Sequence, residues 1–156
     1  MKFQKFVKSL GSEGIIYVRK NEERWLASGS VFMKIPENIR SITASDILPM
    51  PEAVEKILNY ESFTDPCELH RAVMPDADGA IKDCIRIYAT ENALNTVAIS
   101  NPDYTLIEKK DCVEMYVKVN GKEETTEGLA LVVKEFENPM GDPVPIGVIF
   151  PTEYEG

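Results

Sequence analysis

Apolar side chains recur at helical spacing at the start of the chain. Four of them stand at positions i, i+3, i+4 and i+7, which form one stripe along a helix: Phe3, Phe6, Val7 and Leu10. Gly11 follows the last apolar position, as glycine often does just past a helix end. The pattern therefore predicts a short amphipathic helix over residues 2–10.

A β-hairpin is predicted next. Residues 14–20, GIIYVRK, are rich in β-branched side chains, which favour strands. After a polar turn, alternating apolar positions between Arg24 and Ile35 predict a return strand. Ser28-Gly29 interrupts this alternation, and a glycine inside a strand indicates a bulge or a break. We therefore expect a long return strand that is kinked at Ser28-Gly29.

A proline-rich loop over residues 36–51 precedes a second predicted helix. Pro51 suits the first position of a helix, and PEAVEKILNY turns three apolar side chains to one side: Val54, Ile57 and Leu58. A third helix is predicted at PCELHRAV, residues 66–73. Asp65 can cap it, Pro66 suits its first position, and Glu68 completes a capping box.

The rest of the chain has the pattern of an antiparallel β meander. The candidate strands are DCIRIYAT, NTVAIS, YTLIEKK, CVEMYVKV, KEETT, GLALVVKEF and VPIGVIF. Asn120-Gly121 indicates a type I′ hairpin turn, and GLALVV, apolar on both faces, indicates a central strand. The predicted fold class is α+β, an antiparallel sheet dominated by residues 84–150 with two to three short helices. No linker or repeat divides residues 1–156, so we expect a single domain.

Composition limits the class of protein. Hydrophobic residues make up 44% of the chain and charged residues 28%, as in globular domains. No apolar run approaches the ~20 residues that span a bilayer, and the N-terminus lacks the apolar core of a signal peptide. We expect a cytoplasmic protein without a membrane partner. Three cysteines without Cys-x-x-Cys spacing predict free thiols and neither disulfides nor zinc: Cys67, Cys84 and Cys112.

Few residues indicate catalysis. Asp76-Ala77-Asp78-Gly79 resembles the start of a calcium loop, but its glycine comes two positions too early, so we interpret it as a helix-ending turn. On the predicted third helix, His70 comes within reach of Cys67. A Cys–His pair is therefore one alternative, and a partly exposed histidine is the other. No phosphate-binding or dinucleotide-binding glycine motif is present, and we expect no cofactor.

Charge is divided unevenly along the chain, whose net charge is −9. Residues 1–40 contain eight lysines and arginines against four acids, whereas the remaining residues contain nine against 22. Spacing by three places Lys2, Lys5 and Lys8 on roughly one side of the first helix. This side is a candidate phosphate-contacting surface, with a merely solvated helix face as the alternative. The three lysines are the candidate nucleic-acid-binding residues.

The order helix, strand, kinked strand, proline loop, helix and meander resembles one domain of the DNA sliding-clamp fold. This family includes small clamp-like proteins encoded by phages and prophages. In such proteins an early Ala-Thr-Asp-Gly-like turn often precedes an apolar strand, and the matching stretch here is Ala27-Ser28-Gly29-Ser30 followed by Val31–Ile35. VPIGVIFP resembles their closing strand. The resemblance covers residues 1–60 and the last strands.

The resemblance implies a sheet that curves around helices packed on one face, with lysines on the helices and an acidic protein overall. It implies a non-enzymatic replication accessory protein with DNA and a replication protein as partners. Because the chain has room for one such domain, a ring requires a homo-oligomer. Two alternatives remain: an acidic inhibitor that mimics DNA in a nuclease, prompted by the carboxylates of residues 103–127 and 135–155, and a small enzyme without a visible signature.

Overall fold

The computed structural model describes residues 1–59, 64–74, 79, 83–120 and 125–153. In these residues the predicted α+β class is confirmed. The elements in chain order are α1 Phe3–Leu10, β1 Ile15–Val18, β2 Arg24–Ser28, β3 Val31–Lys34, β4 Asp46–Pro49, α2 Glu52–Leu58, β5 Thr64–Val73, β6 Ile85–Thr90, β7 Thr96–Ser100, α3 Asn101–Tyr104, β8 Cys112–Asn120, β9 Thr125–Glu135 and β10 Val144–Ile149.

The strands form one sheet in the order β4-β1-β2-β3-β10-β9-β8-β5-β6-β7. Its neighbouring strands are antiparallel except for β1 and β4, which are parallel. GLALVV lies in β9 between β10 and β8, which confirms its central position. Residues 84–150 supply the strands β6 to β10, and four strands of the first 50 residues form one end of the sheet.

The predicted kinked return strand is instead a tight hairpin, so this prediction was wrong. β2 and β3 pair antiparallel, with Ser28 opposite Val31, and only Gly29 and Ser30 connect them. Gly29 has φ +53°, a left-handed conformation that reverses the chain and that glycine adopts without a steric penalty. The Ser30 hydroxyl donates to the Asp103 carboxylate at 2.6 Å and thereby joins the turn to α3.

The predicted third helix is also wrong, since PCELHRAV lies in β5. The capping residues favour a helix only through contacts with their own neighbours in the chain. The backbone of this segment instead pairs with β6, and the backbone of Thr64–Pro66 pairs with β8. Tertiary pairing outweighs a local helix preference of this size. The register against β6 shifts between Leu69 and Arg71, which makes His70 the extra residue of a bulge. The calcium-like turn that would have ended the helix lies outside the described residues, apart from Gly79.

Two details of the meander differ from expectation. YTLIEKK is not a strand, because Ser100 caps α3 by accepting a hydrogen bond from the Asp103 amide at 3.3 Å, and Pro102 favours the first helical turn. β8 and β9 form the expected hairpin, but Asn120 pairs with Thr125, so four residues connect the strands instead of two. The predicted type I′ turn at Asn120-Gly121 is therefore wrong; Gly121 itself lies outside the described residues.

Alternation along the strands places a separate apolar core on each face of the sheet. One core contains Phe6 of α1 and strand residues such as Leu26, Met33 and Leu131. The other contains Val54 and Ile57 of α2 with strand residues including Trp25, Phe32 and Val132. We call these the α1 face and the α2 face. The expectation that the helices pack on one face is wrong, because neighbouring strand residues point to opposite faces and each helix covers a different one.

Candidate nucleic-acid interface

α1 is held to its face by its apolar stripe and by contacts at its N-terminal end, and its C-terminal end is closed by a hydrogen bond within the helix. Its apolar stripe faces the sheet, with Phe6 only 3% exposed. At the N-terminal end, the Lys2 amide donates to the Leu106 carbonyl at 2.8 Å, and the Met1 amino group contacts the Asp111 carboxylate at 2.8 Å with both groups buried. At the C-terminal end, the Gly11 amide donates to the Val7 carbonyl at 3.2 Å. These contacts involve no lysine side chain.

The structure places Lys2, Lys5 and Lys8 on the solvent side of α1, where all three side chains are exposed. Within the described residues none of the three ammonium groups lies within 4.0 Å of a carboxylate. A step of three residues falls about 60° short of a full helical turn, so the three lysines fan out along an arc. They form a curved basic surface on a protein whose net charge is −9.

A cleft flanks α1 on each side. Lys5 and Ser9 line the smaller cleft, of about 180 Å³, together with Ser28, Asp103 and Thr105. Lys8 and Gln4 line the larger cleft, of about 570 Å³, whose opposite wall is the segment 39–43. The lysine surface therefore continues into depressions on both flanks, and only the larger depression is free of carboxylates among its described lining residues.

Arg24 holds the segment 39–43 against the fold. Its guanidinium donates to the carbonyl of Ile39 at 2.5 Å and to that of Arg40 at 3.3 Å. Further along, the Ser45 amide donates to the Gly14 carbonyl at 2.8 Å. Ile39 and Ile42 pack against the core of the α1 face, while Arg40 is exposed. The segment is therefore a fixed wall beside α1, which the proline-rich sequence did not reveal.

The α2 face carries a different kind of charge arrangement. Arg19 of the chain after β1 binds Glu55 of α2 through Nε at 3.1 Å and Nη2 at 3.3 Å, and Glu55 is only 6% exposed. Arg19 also donates to Glu23 at 2.9 Å, and Glu23 in turn contacts Lys34 at 3.2 Å. This cluster ties α2 to the sheet.

Protonation in this cluster follows from the ion pairs. Burial alone would lower the pKa of Arg19, but its hydrogen bonds to Glu55 and Glu23 outweigh burial and raise the pKa above its ordinary value. Burial alone would raise the pKa of Glu23, but Arg19 and Lys34 lower it below its ordinary value. Both groups are thus held in their charged forms, which suits a role in folding.

The Cys67–His70 pair is not assembled. Cys67 points its thiol at the Val113 carbonyl, 3.7 Å away, while His70 lies exposed at the bulge. Burial, helped by the carboxylates of Glu114 and Glu68, raises the pKa of the Cys67 thiol to about 12. A thiol with such a pKa stays protonated at neutral pH and is a poor nucleophile. All three cysteines are free, and no cluster of metal-ligating side chains occurs among the described residues.

The exposed edge strand β4 offers little to another strand. All four of its residues are exposed, Ile47 by 67%. The Ile47 amide donates to the Asp46 carboxylate at 2.8 Å, and Pro49 has no amide hydrogen. A short edge with a proline and a charged residue is typical of strands that resist edge-to-edge pairing. We therefore do not expect copies of the chain to join through β4.

Comparison of the chain with protein-family models, with curated proteins and with solved structures finds no match. Among the described residues, no helix is long and apolar enough to span a bilayer. The functional assignment therefore depends on the geometry of the two faces.

Proposed function

We propose that this chain is a non-enzymatic, DNA-associated protein, a replication accessory protein of the clamp-like type. It contacts the phosphates of duplex DNA through Lys2, Lys5 and Lys8 and acts as an assembly of several copies. Phosphate contacts position a protein on DNA without reading its sequence, which suits a protein that accompanies DNA without a fixed site.

The observation that carries this proposal is the state of the three lysines. They are exposed and, in the described part of the chain, without a carboxylate partner, on a helix that is held by other groups. Lys2 at the helix N-terminus is mildly unfavourable with the helix dipole, so helix stability does not explain it. In a protein with 26 acidic residues, such a surface is the part that a polyanion can approach.

The two faces also orient the protein relative to DNA. α2 bears Glu52 and Glu55, and its only basic residue is Lys56. Because α2 lies on the opposite face from α1, a duplex that meets α1 lies away from the acidic helix. Each copy then contributes one helix to the DNA side of an assembly, so several copies are required to surround a duplex.

An acidic inhibitor that mimics DNA is the second candidate. Exposed carboxylates in the C-terminal half favour it: Glu137, Asp142 and Glu153. Other carboxylates of the same half have structural contacts, since Asp103 accepts from Ser30, Asp111 from the Met1 amino group, and Glu114 contacts Lys134 at 2.8 Å. The acids available for mimicry are thus fewer than the composition indicates, and the DNA-contacting role is favoured.

Binding to closed circular duplex DNA, measured over a range of salt concentrations, tests the proposal. We expect measurable binding at low salt that weakens steeply as salt increases, because each phosphate contact releases counterions. Light scattering with chromatography should show an oligomer. A monomer that binds no DNA would contradict the proposal and favour the inhibitor, whose activity should then depend on the exposed carboxylates.

A further inference from the structure

The cleft between α1 and the segment 39–43 differs in charge from three other clefts lined by described residues. Three other clefts contain carboxylates: Glu68 and Glu91 beside Cys67, Glu37, Glu135 and Glu137 beside Met33, and Asp103 beside Lys5. The described residues that line the α1 cleft include Lys8 but no acid. The neighbouring acids in the chain, Glu13, Glu37 and Asp46, do not line it. In so acidic a protein, this cleft is suited to an anion.

Its walls carry neutral hydrogen-bonding groups as well as charge. Gln4 and Lys8 stand on the helix wall, and Ser41 and Thr43 stand opposite them on the segment wall, all four exposed. The floor is apolar and half-buried, formed by residues that include Val7 and Ile42. Hydroxyl, amide and ammonium donors above an apolar floor are the groups with which proteins contact a sugar–phosphate backbone.

The opposite wall is fixed before any ligand arrives. Arg24 holds the carbonyls of Ile39 and Arg40, so the backbone of the segment does not have to be ordered by binding. Arg40 of this segment is exposed but does not line the cleft, so Lys8 is the cationic side chain among the described lining residues.

We propose that this cleft is a phosphate-binding subsite that receives the sugar–phosphate backbone of duplex DNA, with Lys8 as the charged contact and Ser41 and Thr43 as neutral ones. The backbone then runs from the lysines of α1 across the cleft to the segment 39–43. The proposal rests on the DNA-associated function above. It adds a second DNA-contacting element, the segment 39–43, to the lysine surface of α1.

Two variants separate the charged from the neutral contacts. In Lys8→Gln we expect the salt slope of duplex binding to fall by about 0.9, the contribution of one lost phosphate contact. In Ser41→Ala/Thr43→Val we expect affinity to fall roughly fivefold at every salt concentration with an unchanged slope, because a neutral hydrogen bond releases no counterion. The readout is fluorescence anisotropy of a labelled synthetic duplex.

The matched control is Lys56→Gln, which removes one positive charge from the α2 face, where Lys56 is exposed on α2. Lys118 is a second exposed lysine of this face, because it follows Val117, whose side chain packs in the core of the α1 face. The control should keep the salt slope of the parent protein. Thermal unfolding of each variant checks that it is folded, and none of these exposed side chains is part of a core.

The outcomes distinguish this subsite from the general function. If the parent binds DNA and Lys2→Gln/Lys5→Gln weakens binding while both cleft variants bind like the parent, the subsite is wrong and the function stands. If the parent binds no DNA, both are wrong. If the cleft variants lose binding to phosphatidylserine vesicles, while the parent ignores duplex DNA, the cleft recognises lipid phosphates and the DNA assignment is overturned.

Discussion

The two faces of the sheet carry helices of similar length and contrasting charge arrangement. The buried ionic group of α2 is engaged in folding, since Glu55 is buried against Arg19. The cationic groups of α1 are not, since its apolar stripe and backbone contacts hold the helix while its lysines face solvent. Removing the buried charge of Glu55 from the α2 face should therefore change stability, and removing the lysine charges from the α1 face should change binding.

The largest expected effect on stability comes from Glu55→Ala. This change leaves Arg19 partly buried without its bidentate partner, and the free energy of unfolding should decrease by about 3 kcal/mol. Urea denaturation measures it. The control is Lys20→Gln, which removes a pair at 3.5 Å whose Lys20 side chain is 84% exposed, and which should cost less than about 0.5 kcal/mol. Equal effects of the two changes would contradict the distinction between the buried ion pair of α2 and its exposed one.

A smaller decrease in the free energy of unfolding is expected from Gly128→Ala, a change on the α1 face. A Cβ at Gly128 would lie 2.6 Å from the Met115 sulfur and 2.9 Å from the Thr96 carbonyl oxygen, where β7 packs closely on β9. We expect about 2 kcal/mol of destabilisation from overpacking. Gly141→Ala is the control, because its nearest neighbour would be 3.7 Å away. An unchanged free energy of unfolding in Gly128→Ala would show that β7 does not approach β9 this closely.

The ion cluster of Arg19, Glu23, Lys34 and Glu55 also predicts that folding stability depends on pH. Because the pKa of Glu23 is lower in the folded protein than its ordinary value of 4.5, its contribution to stability is present above that value and is lost as the pH falls through the folded-state pKa. The stability difference between the parent and Glu23→Gln should therefore shrink on acidification from pH ~5 to pH ~3. Urea midpoints measured across this range test it, and a difference that grows on acidification would be the wrong sign.

The next prediction concerns the reactivity of the Cys67 thiol and involves no change in stability. In the folded protein this thiol should react slowly with alkylating reagents. With its pKa raised to about 12, alkylation at pH ~8 should be more than about tenfold slower in the folded protein than in urea. Mass spectrometry of the peptide that contains Cys67 gives both rates. Rapid alkylation of the folded protein would restore the possibility of a cysteine enzyme.

Periodicity predicted the elements whose apolar pattern agrees with their final contacts. α1, α2 and the central β9 follow directly from the spacing of apolar residues, and Lys2, Lys5 and Lys8 are exposed because they lie off the stripe of α1. The predictions that failed are those in which local signals competed with distant partners. The capping residues around Pro66 indicate a helix, but β6 and β8 pair with the same backbone.

The hairpin at Gly29 and the placement of α1 and α2 on opposite faces show two further limits of prediction from sequence. A glycine between two apolar runs is compatible with a bulge or a reversal, and only the left-handed φ of Gly29 and the pairing of β2 with β3 decide between them. The assignment of α1 and α2 to opposite faces depends on strand order, which apolar periodicity does not contain. The cleft beside α1 depends on the long-range contact between Arg24 and the carbonyls of the segment 39–43.

The most direct measurement compares charge removal on the two faces in salt-dependent binding to closed circular duplex DNA. Lys2→Gln/Lys5→Gln/Lys8→Gln and Lys20→Gln/Lys56→Gln/Lys118→Gln remove the same number of positive charges from the α1 face and from the α2 side. We predict that the α1 variant lowers the salt slope by up to about 2.7 while the α2 variant keeps that of the parent. An equal decrease of the salt slope in both variants, or a parent protein that binds no DNA, would contradict the DNA-contacting role of the α1 lysines.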